Sequence, residues 1–409
     1  MSGSERPTPW AAFGYALRLG CLSFGGPAAQ IALISHEVIE VRRWLNAAAF
    51  SRALSLAMLL PGPEALQVVI YLGWRLFGAL GAILAGLAFL LPGALLLAGL
   101  SFAYMQLGSM PGIAAALVGL KAIVIALVLV ALITLARRIL RTPLNWMIAA
   151  SSFMLGLTCS LPTPMLLAGG AFTALLFADA EPIEAAETAV NVSFGRILVI
   201  CAVGGFCWLL PWLALRIFVP GSIGEVMYLS LSRIAIGGFG GAYAMVAWTG
   251  DLFVQTYHWI GFEDVSAGIG LSEATPGPLL LALQFYGFVA GWGAPQYGSP
   301  ATTAILCSIL ALVASFLPSF VSVIALAPAV ETIAHRPKLL RALGGVSAVV
   351  IGIIATFALN LARAVLVQNS VLHIAPCVIA LLGFVLLLTR RIGLAGALIS
   401  GIITGVIFC

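Results

Sequence analysis

The chain has 409 residues, of which 62% are hydrophobic and 8% charged, with a formal net charge of +5. A soluble domain carries about a quarter charged residues, so this composition describes a polytopic membrane protein with room for about a dozen segments of about 20 residues. It excludes a soluble catalytic or nucleic-acid-binding module, and the positive balance is read as basic loops on the cytoplasmic side.

The first segment runs from Trp10 to Ser35 and is interrupted at Phe24-Gly25-Gly26-Pro27. Its arms of roughly 14 and 8 residues span about 21 and 12 Å, too short for either to cross alone. The following loop carries Arg42 and Arg43 and is predicted cytoplasmic, as is the short N-terminal tail, in which no removable signal peptide is read. Leu45 to Leu60 runs into Pro61-Gly62-Pro63, and Glu64 to Arg75 runs out of it, again as two short arms. Two long apolar runs follow, Phe77 to Tyr104 and Ile113 to Ala136, the second ending in Arg137, Arg138 and Arg141 on the cytoplasmic side. Two shorter helices are predicted at Leu144 to Leu157 and Met165 to Phe177. The acidic stretch from Asp179 to Thr188 reads as a cytoplasmic linker, dividing the chain into membrane repeats at 1–178 and 196–409 around a linker at 179–195. Ile197 to Val219 is predicted to cross outward, so that the second repeat begins on the other side.

The second repeat copies the first at one offset of 215 residues: Arg18 becomes Arg233, Phe24 to Gly26 become Phe239 to Gly241, and Pro61 to Pro63 become Pro276 to Pro278. An ungapped set of identities across more than fifty residues marks an internal duplication. The loop equivalent to Arg42 and Arg43 is now Tyr257-His258, while the basic loop His335 to Arg341 falls opposite a neutral one at an offset of 226. Opposite charge bias predicts halves inserted upside down relative to each other. Apolar runs at Ala342 to Val367 and Val371 to Leu388 and a terminal segment complete the chain. The fold predicted is all-α, with broken or re-entrant helical hairpins of two inverted halves meeting near the membrane midplane. The seven cysteines form no metal or disulfide pattern and read as small buried apolar residues.

Non-helical backbone at membrane depth is tolerated only beside protein or a wet cavity. Each break starts a new helix whose free N–H groups and positive dipole end suit a small anion, and Gly lets an oxyanion approach the backbone. The bland alternative is that Gly and Pro merely allow kinks and close packing. Arg18 and Arg233 are candidates to flank a dianion with guanidinium forks, or else they snorkel to headgroups. Glu64 and Glu273 are read as proton carriers or arginine partners, Glu64 equally as a first-turn residue stabilised by the dipole. Gln30, Gln67 and Gln284 are possible neutral donors, and Lys121 a cavity-facing cation.

Together, FGGPAAQIA, LPGPEALQ and FLLPGALL in the first half, with GGFGGAYA and EATPGPLLLALQF in the second, resemble the chromate ion transporter family in its two-domain long form. The resemblance covers essentially the whole chain. It implies a carrier of the bacterial inner membrane that exports chromate, with a link to sulfate exchange, and so confers chromate resistance. The family motif positions here are Phe24, Gly25, Gly26, Pro27, Gln30, Pro61, Gly62, Pro63, Glu64 and Gln67. In the second half they are Phe239, Gly240, Gly241 and Glu273 to Pro278, with Ala242 and Leu279 where the first half has Pro27 and Glu64. The two half-sites therefore differ chemically.

The leading expectation is a secondary carrier in which rocking of the halves alternates access, with chromate and sulfate as ligands, the bilayer as surroundings, no nucleic acid and no cofactor. A homodimer is compatible with it. A proton-coupled sulfate-type carrier and a passive anion channel use the same residues. An intramembrane enzyme is disfavoured, because the four histidines make no ligand pattern and no nucleotide-binding signature is present.

Overall fold

The computed structural model describes residues 8–24, 26–159, 161–177, 194–239, 241–329, 337–368 and 371–408. The acidic linker expected at 179–195 lies almost wholly outside them. The first repeat comprises α1 (Pro9–Leu22), α2 (Gly26–Ser35), a π-helical turn (His36–Val41), α3 (Ala47–Leu59), α4 (Glu64–Leu107), α5 (Pro111–Ile139), α6 (Pro143–Thr158) and α7 (Thr163–Phe177). After α8 (Phe194–Phe218) the second repeat continues with α9 (Ile223–Gly237), α10 (Ala242–Asp251), a π-helical turn (Leu252–Thr256), α11 (Phe262–Ala274), α12 (Ala282–Gly293) and α13 (Pro300–Leu326). It closes with α14 (Pro337–Leu366), α15 (Ile374–Leu388) and α16 (Leu394–Phe408).

Local chemistry sets the ends of these elements. The Asn46 side chain accepts from the Ala49 amide at 2.8 Å and starts α3, while proline occupies the first turn of α5, α6 and α13, where a missing N–H costs nothing. The predicted boundary between Arg75 and Phe77 is a sharp corner inside α4, at Phe77 (φ −139°, ψ 19°) and Gly78 (φ 67°, ψ −155°). There the chain doubles back, so that a β-carbon on Gly73 would meet the Gly81 carbonyl. One expectation is corrected: Val371 does not begin the next helix. Val367–Gln368 and Val371–Leu372 instead form a two-residue antiparallel pair, and α15 starts at Ile374.

The duplication is visible in backbone detail. The two π-helical turns fall at equivalent places, followed by left-handed residues Arg43 (φ 53°) and His258 (φ 54°). The Arg42 guanidinium lies over the Trp44 ring at 5.1 Å, and its counterpart Tyr257 stacks on Trp259 at 4.3 Å. The planar group changes chemistry while its position persists. The duplication also extends further than the motifs: α6 and α15 begin 231 residues apart, and α7 and α16 are 231 apart at both ends. Only α8 has no counterpart, and a single extra crossing between repeats is what turns the second one over. α8 is also peripheral, with none of its most apolar stretch buried.

The repeats interlock. A β-carbon on Gly119 of α5 would meet the Gly401 carbonyl of α16, and its equivalent Gly345 of α14 stands in the same relation to Gly170 of α7. Each repeat thus packs its long helix against the closing helices of the other. In lipid, tails are as apolar as side chains, so close approach of small residues rather than hydrophobic burial selects such partners. Rigid rocking of one sequence half against the other, as the sequence suggested, would break both contacts. The moving units must therefore mix helices from both halves. The cysteines also depart from expectation: Cys307 is buried, but Cys21, Cys159, Cys201 and Cys207 are exposed, which an apolar residue tolerates where the surroundings are lipid.

Candidate functional site

Four glycines at the breaks adopt the left-handed backbone, two per repeat at equivalent positions: Gly26 (φ 77°) with Gly241 (φ 87°), and Gly62 (φ 123°) with Gly277 (φ 113°). Gly26 and Gly241 start α2 and α10, so both breaks present a helix N-terminus to the protein interior. Gly25 and Gly240 lie outside the described residues, as does the side chain of Pro27.

The two repeats exchange carboxylates at these ends. A β-carbon on Gly26 would lie 3.5 Å from Oε2 and 3.8 Å from Oε1 of Glu273, which belongs to the second repeat. One on Gly241 would lie 3.9 Å from Oε1 of Glu64, which belongs to the first. Glu273 sits in the last turn of its own helix, where the dipole is unfavourable to an anion; the start of α2 supplies the complementary end. Its Oε1 also accepts from the Tyr243 hydroxyl at 2.7 Å. Because Tyr243 is in the first turn of α10, Glu273 spans both breaks, and it is 3% exposed. Glu64 is half-buried.

The Pro-Gly-Pro loops are held reciprocally as well. The Gly277 amide donates to the Ser23 carbonyl at 2.9 Å, and Gln30 Nε2 donates to both the Ser23 carbonyl (3.2 Å) and the Gly277 carbonyl (2.6 Å). In the second repeat Met245 occupies the position of Gln30 and cannot donate. There the Pro61 loop is fastened from within, by Gln67 Nε2 donating to the Pro61 carbonyl at 2.7 Å. The loop backs face the proline kinks of the opposite repeat. The Pro276 carbonyl lies where a β-carbon on Gly93, next to Pro92, would have to go, while Gly62 faces Ser319, next to Pro318. Gln284 donates to the Ala94 carbonyl at 2.9 Å and pins α12 to α4. Gln30→Leu leaves the buried Gly277 carbonyl without this donor, at a cost of about 1–3 kcal/mol. A fall in the thermal unfolding midpoint of the purified protein is the expected result.

Around this cluster Ser23 Oγ, Ser272 Oγ and Gln67 Oε1 are buried with no hydrogen-bond partner among the described residues. Orphaned polar atoms are rare in a settled core and call for an explanation such as a bound ion or water. Two helix ends, unpaired polar groups and left-handed glycines that open the backbone together make a place for a small oxyanion.

A family model described as chromate transporter matches residues 10–175 and 226–406, covering both repeats. The chain belongs to the chromate transporter family. It is 31% identical over 359 residues to a chromate transport protein of Pseudomonas aeruginosa, covering 86% of this chain and 80% of that one. It is 28% identical over 391 residues to a chromate transport protein of Cupriavidus metallidurans, covering 95% and 91%, and 28% identical over 359 residues to a probable chromate transport protein of Synechococcus elongatus, covering 85% and 83%. No solved structure matches the chain.

In this chromate transporter family chain the motif residues Gly26, Gln30, Glu273, Pro276 and Gly277 gather at one break, Glu64 and Gly241 at the other, and Pro61, Gly62 and Gln67 beside them. Pro63 caps α4 and Pro278 leads into the short turn Leu279–Leu281. Phe24 is exposed and Phe239 half-buried, and their amides close equivalent turns on the Leu22 and Gly237 carbonyls, each at 2.9 Å. The cations stand apart. Arg18 is exposed on α1, and Arg233 is exposed in a cavity beside α9. The ammonium of Lys121 has no hydrogen-bond partner among the described residues, whereas its carbonyl accepts from Ser266 Oγ at 3.3 Å. Sequence reasoning missed Tyr243, Ser23, Ser272, Gly93 and Ser319. Only Tyr243 carried a signal, as the polar residue two places past the second break where the first repeat has Ala28.

Proposed function

We propose that the chain is a secondary carrier for chromate in the bacterial inner membrane, with its N-terminus cytoplasmic, working as an exporter linked to sulfate exchange and conferring chromate resistance. The observation that carries this reading is the reciprocal placement of Glu273 at Gly26 and Glu64 at Gly241. Each carboxylate holds a helix end that would otherwise attract a free anion. A dianion entering between the breaks takes these ends and displaces the carboxylates, and Ser23, Ser272 and Gln67 complete its hydrogen bonds. Chromate and sulfate share charge and shape, so both suit the same donors. The names of the relatives support chromate as the cargo. The division into repeats at 1–178 and 196–409 around an acidic linker belongs to the same proposal.

The carboxylates also favour a second reading, in which they take up protons as the oxyanion displaces them and so couple transport to a pH gradient. Counterflow in proteoliposomes tests both. Labelled chromate uptake accelerated by internal chromate or sulfate is expected of an alternating carrier. Uptake driven by an imposed pH gradient alone supports proton coupling, simple dissipation of the gradient without acceleration indicates a channel, and no flux of either ion removes the proposal.

A further inference from the structure

A cavity of about 730 Å³ lies between α6, α7, α9, α10 and α14, away from the four glycines. Its wall includes the guanidinium-bearing residues Arg233 and Arg363, the carboxylate Asp251, the amides Gln255 and Asn360, and the exposed thiol of Cys159. Arginine on a membrane helix is costly and is ordinarily matched by an anion or by water, yet neither arginine has an ion pair or hydrogen bond among the described residues. Asp251 is also unpaired there, so two cations against one anion leave the wall net positive. The other cavity, of about 590 Å³ between α4, α8 and α13, is lined entirely by apolar residues and glycine apart from Cys207, which makes the polar lining of the first a property of the site.

The arginine pair is itself duplicated. Arg233 corresponds to Arg18 at the offset of 215, and Arg363 corresponds to Arg137 at the offset of 226 that relates α14 to α5. In inverted repeats, equivalent pairs come to lie toward opposite faces.

We infer that Arg233 and Arg363 form a docking site for a tetrahedral dianion at one mouth of the pathway, separate from the glycine breaks, with Arg18 and Arg137 as its counterpart at the other. This inference rests on the oxyanion reading of the central site. The fork of arginine matches such an oxyanion, and the two amides offer neutral donors. A cationic vestibule raises the local concentration of the ion and its rate of arrival, while binding there remains loose enough to pass it inward.

Cys159 reports on this cavity. In a variant whose other six cysteines are replaced, the thiol is modified by an anionic sulfonatoethyl methanethiosulfonate and, separately, by its cationic trimethylammonium analogue, each rate being taken relative to a free thiol. Sulfate serves as competitor because chromate oxidises thiols. The anionic reagent is expected to be favoured about tenfold, and sulfate should slow it more than gluconate at equal ionic strength. Arg363→Gln should lower that preference and Arg363→Lys preserve it; the lysine variant keeps the test open if the glutamine variant does not fold. Equal relative rates, or no protection by sulfate beyond the gluconate control, overturn the docking site. Chromate counterflow is measured on the same Cys159-only protein. Counterflow without charge selectivity at Cys159 refutes the docking site alone, and charge selectivity without counterflow refutes the proposed function alone.

Discussion

Glu273→Gln is expected to slow chromate counterflow at least about 100-fold, equivalent to about 2.7 kcal/mol, without loss of the protein from the membrane. Glutamine keeps the size of the side chain and can still accept from Tyr243, so the folded cluster is retained. What disappears is the charge that holds the α2 helix end when substrate is absent. The carboxylate lies against Gly26 and bonds Tyr243 of α10 at 2.7 Å, so one group informs both breaks whether the site is filled. Tyr243→Phe should have a smaller effect, about tenfold, because it loosens the carboxylate without removing it. Counterflow within about twofold of the parent for Glu273→Gln would take the residue out of the mechanism.

Gly241→Ala should be comparably damaging for a different reason. At φ 87° and ψ −177° the residue occupies a region open essentially to glycine alone, and forcing alanine there costs about 1–3 kcal/mol. The added carbon would still clear Glu64 Oε1 at 3.9 Å, so the damage comes from the backbone rather than from collision. α10 would start with its first turn redirected, and the helix end would no longer face the carboxylate. Transport should fall while the amount of protein in the membrane changes little. Gly99→Ala is the control: Gly99 lies within α4 with nothing near its added carbon, and counterflow there should match the parent.

The breaks and the duplication were legible because glycine and proline punctuate helices through local backbone chemistry, which survives in a uniformly apolar sequence. The pairing at 215 residues brought Gly26 with Gly241 and Gly62 with Gly277, and all four share the left-handed backbone. Arg75 and Phe77 likewise marked the corner in α4. Helix partnership was much less legible. Faces toward lipid and toward protein are equally apolar, so nothing in the patterning of α5 or α14 foretold that Gly119 meets Gly401 and Gly345 meets Gly170. The interlocked repeats therefore emerged only from the structure. So did the crossing of carboxylates, since Glu64 and Glu273 follow and precede their Pro-Gly-Pro motifs and occupy no equivalent positions. The arginines were recognised as a repeated pair but read as flanking the central ion, because sequence fixes their place along a helix and not the direction of the side chain.

Equilibrium binding of radiolabelled sulfate to the purified parent and to the Glu64→Gln/Glu273→Gln double variant tests most directly whether substrate and carboxylates compete for the same helix ends. Removing both internal anions should tighten sulfate binding by about tenfold, or about 1.4 kcal/mol, while counterflow is lost. Binding abolished together with counterflow would contradict the account.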